Sequence, residues 1–131
     1  MITHNYTVMC DQVRKEDNGK FLLIGVYVDT ILVTSFPVSL PLTFFVKLHV
    51  DEPGVYGLQM RIERMDGGDP LLRAEGGIAG PQRGPVFVPI STPPITFQQP
   101  GAYNFVIETE GSEPILYSFS VDAAPRPLPM L

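Results

Sequence analysis

The stretch Tyr103-Asn-Phe-Val-Ile-Glu108, followed by Gly111-Ser-Glu-Pro114 and Ile115-Leu-Tyr-Ser-Phe-Ser-Val121, decides the fold class. Tyr103, Phe105 and Ile107 recur at every second position, and so do Ile115, Tyr117, Phe119 and Val121. A period of two puts each set on one face of an extended strand. The Gly-Ser-Glu-Pro segment between them supplies turn residues, so the pair reads as an antiparallel hairpin.

Working outward, Leu42 to Val50 repeats the pattern, with Phe44, Val46, Leu48 and Val50 on one side and Phe45, Lys47 and His49 on the other. Pro53-Gly54 makes a turn, and Tyr56 to Met65 alternates again as the partner of that run, with Leu58, Met60 and Ile62 inward. Asp66-Gly-Gly-Asp-Pro70 predicts a second hairpin turn with Leu71 to Ile78 as the return strand. Near the start, Tyr6, Val8 and Cys10 share one side of a first strand, and Asn18-Gly19 is a strong turn signal before Lys20 to Asp29. That second run is almost continuously apolar, which predicts a central strand covered on both faces or one pinned against a loop. Ile31 to Val33 adds a short strand, and Phe36 to Pro41 reads as a connection because its two prolines withhold ladder donors. Gly76 to Pro85 reads as loop or bulged edge, and the edge around 76–94 is expected to be irregular and poorly protected. Val86 to Val88 and Ile95 to Phe97 are short strand candidates. With 12 glycines and 14 prolines spread through 131 residues, no window is left for a long helix. The expectation is an all-β, two-sheet antiparallel sandwich of about eight strands.

Length favours one domain, drawn as residues 1–122 with a Pro-rich tail over 123–131. Charged residues make up 18% of the chain, below the roughly 25% of ordinary soluble domains. Fourteen Asp and Glu outweigh nine Lys and Arg, and Arg14-Lys15 is followed at once by Glu16-Asp17. A net charge of −5 without a basic stripe argues against nucleic-acid binding. No run approaches the length of a membrane span, and Met1 to Tyr6 has neither the charge nor the apolar core of a signal peptide. The single cysteine, Cys10, excludes an internal disulfide. Together these features predict a cytoplasmic protein.

The chemistry-bearing residues are few. His4 lies near the terminus and His49 on an outward strand position, and one cysteine beside two distant histidines lacks a zinc-ligand spacing. Cys10 and Asp11 are adjacent on a strand, so they point to opposite faces and do not activate one another. Asp66 and Asp69 offer too few oxygens for calcium, and Gly76, Gly77, Gly80 and Gly84 are not followed by the Lys-Ser/Thr and helix of a phosphate loop. No enzyme activity, metal or cofactor is expected. The charged connection holding Asp11, Arg14 and Lys20, joined by Tyr27 and His49, is the candidate recognition surface. Tyr27, Tyr56, Phe36, Phe45 and Phe87 are the aromatics available for peptide or sugar contact, without the tryptophan that sugars favour.

The segments Cys10-Asp-Gln-Val-Arg14, Asn18-Gly-Lys20 and Leu23-Ile-Gly-Val-Tyr27, with Phe36-Pro37 and Leu40-Pro41 after them, resemble a family of small bacterial proteins classed as a domain of unknown function. That resemblance implies a bacterial cytosolic source and brings no activity, ligand or site residue with it. Pro100-Gly-Ala-Tyr103-Asn-Phe105 is similar to the start of a late strand in immunoglobulin-like sandwiches, where a tyrosine hydrogen-bonds to a neighbouring loop. This likeness bears on fold alone. The function expected is a noncatalytic protein-binding or adaptor module. The alternatives are a component that self-associates through sheet edges and a sandwich that binds sugars or small ligands.

Overall fold

The computed structural model describes residues 1–124, and the proline-rich stretch 125–131 lies outside the described residues. The chain forms β1 (Ile2–Lys15), β2 (Phe21–Val26), β3 (Thr30–Val33), β4 (Val38–Leu40), β5 (Thr43–Val50) and β6 (Gly54–Arg64). It continues through β7 (Leu72–Gly80), β8 (Gly84–Ser91), β9 (Ile95–Phe97), β10 (Gly101–Thr109) and β11 (Ile115–Ala123). They assemble into a four-stranded sheet ordered β2-β1-β5-β8, a five-stranded sheet ordered β3-β11-β10-β6-β7, and a small β4-β9 pair. The fold is all-β as the periodicity requires, with eleven strands among the described residues in place of about eight. Only β4 falls in a segment read as a connection, its three residues being flanked by Pro37 and Pro41; the other strands coincide with the apolar runs named from the sequence.

The two larger sheets pack face to face in a sandwich-like arrangement. Phe44 of β5 stacks on Phe105 of β10 with centroids 4.0 Å apart and planes 8° from parallel. Around this pair, Phe119 tilts against Phe44 at 6.1 Å, and Phe97 meets Tyr103 edge-on at 5.0 Å. Met9, Val46, Leu48, Val50, Ile62, Ile107 and Val121 complete a core of nearly zero exposure. The alternation of β5 is thus decisive: its even-numbered residues enter the core, while Phe45, Lys47 and His49 take the outer face.

The β10–β11 hairpin runs in register from Gly101↔Val121 to Ile107↔Ile115, as its alternation predicts. The Tyr103 hydroxyl donates to the Gln99 carbonyl at 3.2 Å, the loop bond expected at that strand. Tyr56 of β6 donates in the same way to the carbonyl of Glu52, also four residues back. β7 is the return strand of β6, from Ile62↔Leu72 to Gly54↔Gly80.

Several expectations are overturned. β5 and β6 are not partners: β5 pairs with β1 and β8, and β6 with β10 and β7, so Pro53-Gly54 carries the chain from one sheet to the other. Pairing is not wholly antiparallel, because β3 runs parallel to β11. The Phe36 to Pro41 connection contains β4, which pairs with β9. Gly76 to Pro85 is strand for most of its length, and pairing continues without a break along both β6–β7 and β5–β8. That region therefore lacks the irregular edge its glycines suggest. β7 approaches β5 closely at Gly80: an added Cβ would lie 3.1 Å from Val50 Cγ1, so a larger residue there would have to displace the Val50 side chain. Pro85 and Pro89 are accommodated because β8 has a single neighbour, β5.

The largest correction concerns Lys20 to Asp29. Only Phe21–Val26 forms a strand, and it is an edge strand whose sole partner is β1. Tyr6, Val8 and Cys10 do share a side, and it is the outer face, since Val8 opposes Phe45 while Met9 opposes core Phe44. β11 extends through Ala123, and the Ala124 amide donates to the Val33 carbonyl at 2.8 Å.

Replacing Phe44 with Ala removes the ring on which both sheets meet. The expected cost is about 3–5 kcal/mol, read as a lower urea midpoint. Phe45→Ala, on the outer face, should cost less because its site can open to water.

Candidate functional site

The outer face of the four-stranded sheet carries a second, smaller apolar layer. The β1–β2 hairpin builds one wall of it. Its tip is closed by Glu16 N–H donating to the Lys20 carbonyl at 2.7 Å and Gly19 N–H to the Glu16 carbonyl at 2.9 Å. Gly19 sits at φ +85°, the left-handed conformation that the Asn-Gly pair supplies at low cost. This turn delivers Phe21 over the sheet, where its ring lies 5.0 Å from Phe45 and 5.7 Å from Phe87. Phe45 and Phe87 lie 5.7 Å apart, closing a triangle of rings contributed by β2, β5 and β8. Phe45 is buried beneath the others at 4% exposure, whereas Phe87 at 39% and Tyr6 at 41% stay open to solvent. A groove of about 510 Å³ runs between Tyr6, Lys20, Phe21, Leu23, Phe45 and Phe87.

Lysines rim this groove. Lys15 Nζ lies 5.9 Å from the Phe21 centroid, and Lys47 Nζ lies 5.8 Å from Tyr6 and 5.7 Å from Phe87. With Lys20 in the lining, these are all the lysines of the chain. Ring faces attract ammonium groups through the π-quadrupole, and the long stems cover apolar surface. None of the ion pairs among the described residues includes a lysine. The five-stranded sheet differs: Arg61 bonds Glu63 at 2.9 Å and Glu108 at 3.1 Å, and Arg64 bonds Asp66 at 2.9 Å.

The residues singled out from the sequence separate into four places. Asp11 and Tyr27 come together, the Tyr27 hydroxyl donating to Asp11 Oδ1 at 2.7 Å. The Tyr27 amide also donates to the Met9 carbonyl at 2.9 Å, so this clamp ties the end of β2 back to β1. Gly25 makes it possible: φ is +67°, and a Cβ there would collide with the Asp11 carboxylate. Lys20 belongs to the groove. Arg14 is exposed opposite Leu22 on the hairpin, and His49 lies farther along β5, 3.8 Å from Asp51. Tyr6, Lys15, Phe21, Leu23 and Lys47 were not singled out as site residues. Their signal was available in part, since Phe45 and Lys47 occupy the outward positions of β5. What pattern could not supply is that Phe21 would fold onto that face.

Cys10 is fully buried, and its thiol donates to the Gln12 carbonyl at 3.6 Å. Burial pushes its pKa up, so the thiol holds its proton at neutral pH and is a poor nucleophile. His4 Nε2 bonds Thr7 Oγ1 at 2.8 Å, and burial lowers its pKa. Among the described residues no three His, Cys, Asp or Glu side chains converge as a metal site would need.

Burial first, then the hydrogen bond from Tyr27 to Asp11 and the negative charge beside it, push the Tyr27 phenol up to about 12. An unfolded tyrosine titrates near about 10, so the folded state holds this proton more tightly. The clamp's contribution is therefore present below about pH 10 and is lost as pH rises through about 12. Burial also raises the Tyr103 and Tyr117 phenols, so absorbance titration near 295 nm should show several late phenol ionisations, of which Tyr27→Phe removes one. The stability gap between wild type and Tyr27→Phe should shrink over the same interval. Gly25→Ala should destabilise the fold by about 1–3 kcal/mol through backbone strain and the Asp11 collision.

A family model described as a family of unknown function, DUF6941, matches residues 5–122, from within β1 to within β11. No curated protein matches the chain.

Proposed function

We propose that this chain, which belongs to the DUF6941 family, is a noncatalytic protein-binding module that engages its partner through the β1–β2 hairpin. One observation carries the reading. β2 is apolar on both faces yet stands at a sheet edge, with Leu22, Ile24 and Val26 exposed at 46%, 39% and 55%. Val28, just past the strand, is 91% exposed. A sequence patterned for burial on both sides, with one backbone edge unpaired, has the properties of a surface completed by another chain. Edge strands that stay solitary usually carry charge, proline or a bulge as protection. β8 has its prolines, while β2 carries only aliphatics along its exposed row.

The architecture reads as an immunoglobulin-like sandwich. Support comes from β3 running parallel to β11, the β10–β11 and β6–β7 hairpins flanking a β10–β6 pairing, and the tyrosine bond at the start of β10. Its core is held by apolar packing without a disulfide, which suits a reducing cytoplasm. Edge-to-edge pairing with a second copy is the other reading, and it rests on the same strand.

A photo-crosslinking residue in place of Val26, introduced in the native cell, tests both. A heavier adduct with a different protein, lost on Ile24→Lys and kept on Leu116→Lys, is the expected result. Adducts with a second copy alone would replace the adaptor with self-assembly. Absence of any adduct from a folded, well-expressed protein would overturn both readings.

A further inference from the structure

We infer that the lysine-rimmed groove on the outer face of the four-stranded sheet binds an acidic protein segment, with one aromatic or aliphatic side chain as its anchor. The partner's being a protein rests on the function proposed above; the groove itself is a separate surface from the exposed aliphatic row of β2. The floor is apolar: Phe21, Leu23, Phe45 and Phe87 line it, and about 510 Å³ of open space suits one large side chain and its flanking backbone. The rim is cationic, with Lys15 and Lys47 held over the rings and Lys20 in the wall.

Charge complementarity selects the occupant. The molecule as a whole carries −5, so an anionic segment is repelled by most of its surface. All three lysines nevertheless gather on one face, and none is ion-paired among the described residues. The carboxylates nearest in sequence, Glu16 and Asp17, are exposed at the hairpin tip, and Asp11 is engaged by Tyr27. Lys15 and Lys47 already stand over aromatic faces, so less side-chain ordering remains to be paid when they pair with carboxylates.

A single-stranded nucleic acid would present anionic and stacking groups too, and the observations favour the peptide. The rings here pack on one another and beneath lysine stems, leaving no free ladder of faces on which successive bases could stack. Three cations on a molecule of net −5 also fall short of the extended basic track a phosphate chain requires.

Fluorescence anisotropy of the full chain with a labelled heptapeptide, one phenylalanine flanked on each side by three aspartates, tests the assignment. Binding should weaken about tenfold or more on Lys47→Glu, and likewise on raising salt to about 0.5 M. Lys47→Met retains the apolar stem and should weaken binding without disturbing the fold, which circular dichroism checks. Phe87→Ala should weaken it as well, and a peptide with lysines in place of the aspartates should not bind. Equal affinity for the acidic peptide in wild type and Lys47→Met, or no measurable binding to folded wild type, overturns the proposal. So does tighter binding of a labelled oligothymidine than of the peptide. If the Val26 adduct forms but the acidic peptide fails to bind, the groove assignment alone falls. If the peptide binds and no adduct forms, the edge reading falls and the groove stands.

Discussion

The stack of Phe44 on Phe105 joins the two sheets at their centre, and most of the architecture follows from seating those rings 4.0 Å apart. β5 has neighbours on both sides in one sheet, and β10 has neighbours on both sides in the other, so the contact links two interior strands. Parallel rings at this distance fix where β5 crosses β10, and register then propagates outward through β1 and β8 on one layer and β6 and β11 on the other. Phe119 and Tyr117 settle against the edges of the same pair. No disulfide assists, because Cys10 is the only cysteine and stays reduced. Dense apolar contact must therefore supply the specificity as well as most of the stabilisation.

Seating the even-numbered residues of β5 in the core leaves its odd-numbered residues to face outward. Because Phe45 is one of these, the outer face acquires a hydrophobic centre that a polar residue would not have created. Phe21 and Phe87 cover it, and Lys15 and Lys47 lay their stems across the remaining apolar surface. The groove is thus a consequence of a strand buried on both sides near its start, combined with a hairpin long enough to fold over it. The Asp11–Tyr27 clamp matters here because it pins the far end of that hairpin.

The edges of the molecule are treated unequally. β8 ends one sheet with Pro85 and Pro89, which cannot donate to an incoming strand. β7 ends the other with Arg73 and Glu75 among its exposed side chains. β2 has neither device along its aliphatic row, and its neighbour in sequence, Val28, extends that row. The partner-binding surface proposed above rests on this exposed aliphatic row.

Much of this was legible in the residues. The period of two in Leu42–Val50, Tyr56–Met65 and Tyr103–Val121 determined strands and their faces, because alternation depends only on local backbone geometry, and the turns at Asp66–Pro70 and Gly111–Pro114 marked two hairpins. Tyr103 at the head of its strand announced its loop bond, and Asn18-Gly19 its turn. Asp11, Lys20 and Tyr27 were legible as polar features between apolar runs, but not as members of two different places. Tertiary structure decided what local pattern cannot contain: which strands pair, that β5 and β6 part into separate sheets, and that β3 lies parallel to β11. It also decided the fate of Lys20 to Asp29. Hydrophobicity on both faces requires cover on both faces, but it does not say whether the cover comes from the same chain. Only the sheet order, which leaves β2 at an edge, shows that the described residues leave Leu22, Ile24 and Val26 exposed.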